Sequence, residues 1–290
     1  MVMEKITPLT SEDVSSEKSS IFKTHLSFIE KDWLKMHDNV IIDTYQSSAN
    51  HIFSTILNLT SEKQVNSCDF LIDDEASLEE IDDFLEKVLD DNTIRNLAWL
   101  FTTNLQSKHF DYVLKNIKQR FDGKHSENPL RFDHNMFISP TSKPEEMTVS
   151  QGYILGPLLA AHAEVMTTQW ALDIGFKGDF NLKPIVLSNI TERPCLGIFT
   201  EIDPTTPIAW LCLYSGASIG MLHVKEAHRG RGLARILVRN TLKRVQETHG
   251  MECRVHACVK KENVASMGLF LSEGWQLQPF NCKKMFFRNS

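Results

Sequence analysis

The chain has 290 residues, a formal net charge of −6, and 42% hydrophobic against 23% charged residues. That length supports a large core in one or two domains, and the acidic balance argues against nucleic acid as a partner, because phosphate backbones require a basic face. No apolar run approaches the ~20 residues needed to span a bilayer, and the six cysteines, Cys68, Cys195, Cys212, Cys253, Cys258 and Cys282, include no C-x-x-C pair, so neither a zinc site nor a disulfide framework is indicated.

In chain order, residues 1–20 hold Glu4, Glu12, Asp13 and Glu17 and no arginine. That composition is wrong for a mitochondrial presequence and lacks the apolar centre of a signal peptide, so a cytoplasmic protein is expected. Ile21 to Met36 has helical spacing, with Ile21, Phe22, Leu26, Ile29 and Trp33 between charges. Val40 to Ile42 is a strand candidate. Leu78 to Leu89 is an acidic amphipathic helix with Leu78, Ile81, Leu85 and Val88 on one face, Leu97 to Thr102 reads as a strand, and Phe110 to Phe121 as a helix. Gly123 to Pro144 is polar, carries three prolines, and reads as linker around one short strand, Met136 to Ile138.

The second half is clearer. Leu155 to Trp170 is predicted helical and Ile185 to Leu187 a strand. Cys195 to Ile202 and Ile208 to Tyr214 are strands joined by the turn Asp203-Pro204-Thr205-Thr206-Pro207. Ser218 to Val224 is the next strand, followed by a helix from Leu233 to Thr248, a strand from Cys253 to Val259, and a helix from Asn263 to Ser272. A last strand pair is expected at Trp275–Phe280 and Lys284–Phe287. Antiparallel strands followed by helix–strand–helix–strand make a mixed α/β sheet.

The most informative segment is Arg229-Gly230-Arg231-Gly232-Leu233-Ala234, a glycine-rich turn between a strand and a helix. First-turn N–H groups have no helical partners and the helix dipole places partial positive charge there, which favours phosphate. Gly230 and Gly232 leave the backbone bare, and Arg229 and Arg231 add charge. The spacing is neither that of a P-loop nor that of a dinucleotide fingerprint. An ordinary basic turn is the plain alternative.

Arg229 to Ala234 resembles the Q/R-x-x-G-x-G/A signature of GNAT acyltransferases. Asn263 to Phe270, closed by Gly274-Trp275, resembles the GNAT helix pattern N-x-x-A-x-x-L-Y-x-x-x-G-F. Thr206-Pro207-Ile208-Ala209-Trp210 with Ser215-Gly216 resembles the glycine N-acyltransferase-like subfamily over about residues 184–280. The resemblance implies a tandem GNAT arrangement: a degenerate N-terminal domain over residues 1–145 and an acyl-coenzyme A-binding domain over residues 146–290. It also implies a mitochondrial location, against the acidic N-terminus.

By that resemblance, the strands either side of the turn and its helix splay apart, and the backbone of Leu222, His223 and Val224 pairs with the amides of pantetheine as a sheet edge pairs with a peptide. Pyrophosphate is held by Arg229, Gly230, Arg231, Gly232, Leu233 and Ala234. Asn263 and Phe270 adjoin the cofactor, though Asn263 is equally well placed to cap its helix. Acyl transfer then needs positioning, proton removal from the amine, and protonation of the thiolate, with no serine or cysteine nucleophile and no metal. The subfamily's base, a glutamate, falls at Ser218, and the usual tyrosine acid falls at Phe270. His223 is the alternative base, its own alternative being a histidine packed on a strand face. Coenzyme A is the expected co-substrate and a small amine such as glycine the expected acceptor, with no nucleic-acid or membrane partner and a monomeric protein. A protein or peptide N-acetyltransferase and a catalytically silent acyl-coenzyme A-binding module are the competing readings.

Overall fold

A computed structural model describes residues 3–6, 40–49, 51–59, 65–72, 75–89, 99–120, 130–140, 142–173, 183–214, 218–249 and 255–288. The elements in chain order are β1 (Met3–Ile6), β2 (Val40–Ser47), β3 (Ile52–Leu59), β4 (Val65–Ile72), α1 (Leu78–Leu89), β5 (Trp99–Gln106), α2 (Ser107–Arg120), β6 (Leu130–Ile138), β7 (Tyr153–Pro157), α3 (Ala163–Asp173), α4 (Lys183–Glu192), β8 (Leu196–Thr200), β9 (Ala209–Tyr214), β10 (Ser218–Val224), α5 (Leu233–His249), β11 (His256–Lys260), α6 (Val264–Ser272) and β12 (Gln276–Arg288). The expected helix Ile21 to Met36 lies outside the described residues. The class is mixed α/β, as the sequence leads one to expect. Among the described residues no helix is long and apolar enough to cross a membrane.

The chain divides into two compact units. The first holds Met1–Met136, Val259–Glu262 and Gln278–Ser290, the second Phe137–Cys258 and Asn263–Leu277. In the first, β1 to β4 run antiparallel in sequence order, β4 and β5 pair in parallel across the α1 crossover, and β12 closes antiparallel on β5 from Cys282↔Gln106 to Arg288↔Trp99. A parallel pair cannot be made by a tight turn, so the helix between β4 and β5 is obligatory. Phe84 of α1 is fully buried, with its ring centroid 5.1 Å from Phe53, 5.7 Å from Tyr45 and 5.9 Å from Phe70. Truncating such an aromatic to alanine typically costs ~3–5 kcal/mol.

The start of α1 is a capping box. Glu80 N–H donates to the Ser77 hydroxyl at 3.3 Å, while the Ser77 N–H and hydroxyl both donate to Glu80 Oε2 at 2.8 Å. The other carboxylate oxygen accepts from the Ser47 hydroxyl and lies 2.8 Å from His51 Nδ1. A helix cap thereby fastens the β2–β3 hairpin.

In the second unit β7, β8, β9 and β10 are antiparallel neighbours, and β10 pairs in parallel with β11 across the α5 crossover. One face carries a core of Leu158, Met166, Val186, Ile190, Cys195, Phe199, Trp210 and Cys212 beneath α3 and α4. Strand alternation turns Leu211 and Leu213 to the other face, where α5 packs across β8, β9 and β10 with Leu233, Leu237 and Val245 buried. The order of elements β4–α1–β5–α2 recurs as β10–α5–β11–α6, so both units use the same strand–helix–strand–helix ending.

Three expectations change. Residues 155–170 do not form one helix: Tyr153 to Pro157 is an edge strand on β8, and regular helix begins only at Ala163. Gly156-Pro157 breaks the apolar period, and proline is tolerated because the strand lies at an edge. Ile185 to Leu187 is helical rather than extended, within α4. Pro184 stands at the helix start, and Val186, Asn189 and Ile190 recur at helical spacing on the buried side. The last strand pair is one continuous strand, β12, which absorbs a register shift between Lys283 and Met285 instead of turning. The strand expected at Met136–Ile138 extends back to Leu130.

Candidate acyl-coenzyme A site

β10 leaves its neighbour early. Its parallel register with β11 comprises Ser218↔His256 and Ile219↔Ala257. Immediately afterwards its register with β9 shifts between Gly220 and His223, and Met221 takes φ of 51°. That is a bulge, and bulges twist and bend the strand that carries them. Beyond it Lys225 N–H donates to the Ile208 carbonyl at 2.9 Å, so the backbone of Lys225 faces β9. By alternation the N–H and C=O groups of Val224 face the side from which β11 has departed, while Leu222 lies within the bulge itself. The Val224 carbonyl accepts from Arg229 Nε at 3.0 Å, which leaves the N–H of Val224 turned toward the gap.

The turn that follows is built for its backbone. Gly230 and Gly232 have φ of 75° and 74°, and a Cβ at either would meet nothing within 4 Å. Conformation rather than space therefore demands glycine. The Gly232 carbonyl accepts the Ile236 N–H at 3.1 Å, making Gly232 the cap and leaving the N–H groups of Leu233, Ala234 and Arg235 outside the helical ladder. Arg231 Nη1 donates to the Tyr153 hydroxyl at 2.8 Å and Nη2 to the Ala227 carbonyl at 3.4 Å. The Tyr153 hydroxyl also lies 3.1 Å from His228 Nδ1. The turn is exposed, and both arginines are fastened to their own loop.

The remaining expected residues divide. Asn263 caps α6, its Oδ1 accepting the Ser266 N–H at 3.1 Å. Phe270 is buried, its ring centroid 4.7 Å from Trp275 and 5.7 Å from Phe137; the ring is part of the core. His223 lies flat on Trp210, centroids 4.6 Å apart at 23°, which is the packed alternative named above for this histidine. Ser218 is 6% exposed, and among the described residues its hydroxyl finds no hydrogen-bond partner. Tyr214, its register neighbour on β9, lies across Gly220, where a Cβ would come within 1.9 Å of the tyrosine ring. Burial pushes the Tyr214 phenol well above its ordinary range. Among the described residues no group of three or more histidines, cysteines or carboxylates is placed to hold a metal ion.

Two residues of this region were not singled out from sequence. Tyr153 sits in a segment that reads as the approach to a helix, so nothing in the pattern points it at residue 231. His256 becomes notable only through its parallel register with Ser218, a long-range pairing that local periodicity does not encode.

Residues 195–284 match the family model described as FR47-like protein. A Drosophila protein of known structure shares the fold, with a TM-score of 0.66 at 17% identity over 93% of this chain and 91% of that one. A tandem GNAT protein from the clavulanic acid biosynthesis pathway is similar at 12% identity and a TM-score of 0.44, over 91% and 86% of the two chains. A GNAT-family acetyltransferase from Colwellia psychrerythraea is similar at 11% identity and 0.42, over 99% and 100%. No curated protein matches the sequence. The family match falls on the bulge, the turn and both following helices.

Proposed function

We propose that the chain is an acyl-coenzyme A-dependent N-acyltransferase whose acceptor is a small amine or amino acid of the glycine type. The observation that carries this reading is the divergence of β10 from β11 directly before a turn that presents unpaired helix N–H groups. The turn suits pyrophosphate, and the gap offers the N–H of Val224 to pantetheine, with Leu222 in the bulge beside it. The thioester then lies at the bulge, with the amine approaching on the face of Ser218, Tyr214 and Trp210. The amine nitrogen attacks the thioester carbonyl, the C–N bond forms and the C–S bond breaks. Holding the two reactants in line is the main contribution asked of the protein, with N–H groups in the gap available to the oxyanion. Titration calorimetry with coenzyme A, paired with a thiol-release screen over acyl-coenzyme A and amine combinations, tests the reading. Release that requires a free amine supports it; coenzyme A binding without release with any amine replaces it with the silent binding module, the reading favoured by Ser218 and Phe270 at the expected base and acid positions.

A further inference from the structure

We infer that His256 is the proton acceptor of this site, acting beside Ser218 at the point where β10 and β11 part. The inference rests on the acyltransferase reading and assigns the one role that reading leaves open. Strands β8, β9, β10 and β11 contain no aspartate or glutamate, so none of these four offers the carboxylate that the resemblance requires as a base. Ser218 and His256 are register partners on parallel strands. Their side chains therefore leave the same face of the sheet, with Cβ atoms about 5 Å apart. Tyr214 flanks Ser218 on its other side, giving a row Tyr214–Ser218–His256 at the root of the gap.

Two features single out this row. His256 is 4% exposed, and Ser218 is buried with a hydroxyl that the described residues leave unsatisfied. An unsatisfied buried hydroxyl is destabilising, a penalty removed by a bound amine or water that also reaches the imidazole. The other titratable groups sharing this face by alternation are Cys212, Tyr214, His223 and Cys258, with Lys260 closing β11. Cys212 belongs to the core with Cys195, and Tyr214 is held protonated by its burial. His223 is stacked on Trp210 beyond the bulge. At the start of β11, Ser139 meets Val255 through hydrogen bonds of 2.8 and 2.9 Å, and β6, next to β11 in the strand order, carries Arg131, Asp133 and His134.

The proton balance closes without any further reagent. An ammonium acceptor loses two protons as it becomes an amide. His256 takes the first, directly or across the Ser218 hydroxyl, and passes it to solvent. After attack it takes the second and returns it to the departing thiolate, which leaves as coenzyme A thiol.

The test uses the full-length protein, with coenzyme A binding and thiol release measured on the same samples. His256→Gln is expected to bind coenzyme A within about twofold of wild type, to lose about 10²–10⁴-fold in kcat, and to lose the acidic limb of the pH–rate profile. Ser218→Ala is expected to retain that limb at a lower rate. A His256→Gln protein that binds coenzyme A and keeps both rate and limb overturns the assignment. Should that variant not fold, the wild-type profile decides: an acidic limb is expected, and a rate that only rises through the alkaline range of a free amine overturns the proposal. Failure of wild type to bind coenzyme A or release thiol instead overturns the acyltransferase reading itself.

Discussion

Arg231 Nη1 donates to the Tyr153 hydroxyl at 2.8 Å, so the first residue of edge strand β7 steadies a turn 78 residues further along the chain. With His228 Nδ1 3.1 Å from the same hydroxyl, one phenol organises two basic side chains around the glycine-rich turn. Tyr153→Phe keeps the ring and deletes this junction. We expect coenzyme A affinity to fall about 3–10-fold, near the worth of one charge-assisted hydrogen bond, with melting temperature nearly unchanged. Calorimetry alongside thermal unfolding separates the two effects.

Gly232 tests the turn more severely. Its φ of 74° is a region that β-branched residues adopt only under strain, costing roughly 1–2 kcal/mol. Gly232→Val should lower stability by about that amount and weaken coenzyme A binding more than either Arg229→Ala or Arg231→Ala. A folded Gly232→Val protein with wild-type affinity would remove the turn from the binding site.

Asn263 is a cap in the structure. Replacing it with alanine should cost ~1 kcal/mol, read by denaturant unfolding. Asn263→Asp preserves the acceptor oxygen, so its stability should stay close to wild type; a raised Michaelis constant for acyl-coenzyme A in that variant would reveal contact with the cofactor in addition to capping.

Glu80 governs the acid stability of the first unit. Burial raises its pKa, but hydrogen bonds from Ser47, from the Ser77 N–H and hydroxyl, and from His51 outweigh that effect and hold it down to about 2. Because the folded value lies below the unfolded one, the stabilisation is complete above about pH 4.5 and is lost as pH falls from there toward 2. Its ceiling is about 3.5 kcal/mol at ~1.4 kcal/mol per pH unit. Glu80→Gln should lower the melting temperature at pH 7 and flatten its decline between pH 5 and pH 3, measured by calorimetric scans across that range.

Ser218→Glu places a carboxylate at the position to which the resemblance assigns the base. Near neutrality it should raise the rate if a base at residue 218 reaches the amine through water. His223→Gln, by contrast, should leave the pH–rate limb intact because its ring is engaged with Trp210. Loss of the limb in His223→Gln would transfer the base to β10.

The elements legible in the sequence were those whose pattern is local. Ser218 to Val224 alternates, Leu233 to His249 repeats at helical spacing, and the glycines between them punctuate both, so this stretch reads almost residue for residue as it folds. Ile185-Val186-Leu187 misleads because three branched or bulky apolar residues favour a strand locally, whereas the core beneath α4 rewards Val186 with Ile190. β3 and β4 carried no prediction, since Ser54, Thr55, Asn58, Ser67 and Asp69 dilute their alternation and long-range pairing supplies the order. The bulge at Met221 and the register of Ser218 with His256 likewise arise from strand pairing, which no window of neighbouring residues contains.

The return of β12 to β5 sets a schedule for biosynthesis. β1 to β5 emerge from the ribosome first, yet the strand that covers the open edge of β5 is Cys282–Arg288. Through the intervening stretch of translation β5 is a bare ladder of donors and acceptors, the kind of surface that recruits chaperones or pairs with a second nascent chain. Maturation of the amino-terminal half is thus gated by completion of the carboxy-terminal one. A stop codon placed after Leu277 would leave the glycine-rich turn encoded and the first half without the strand that closes its sheet.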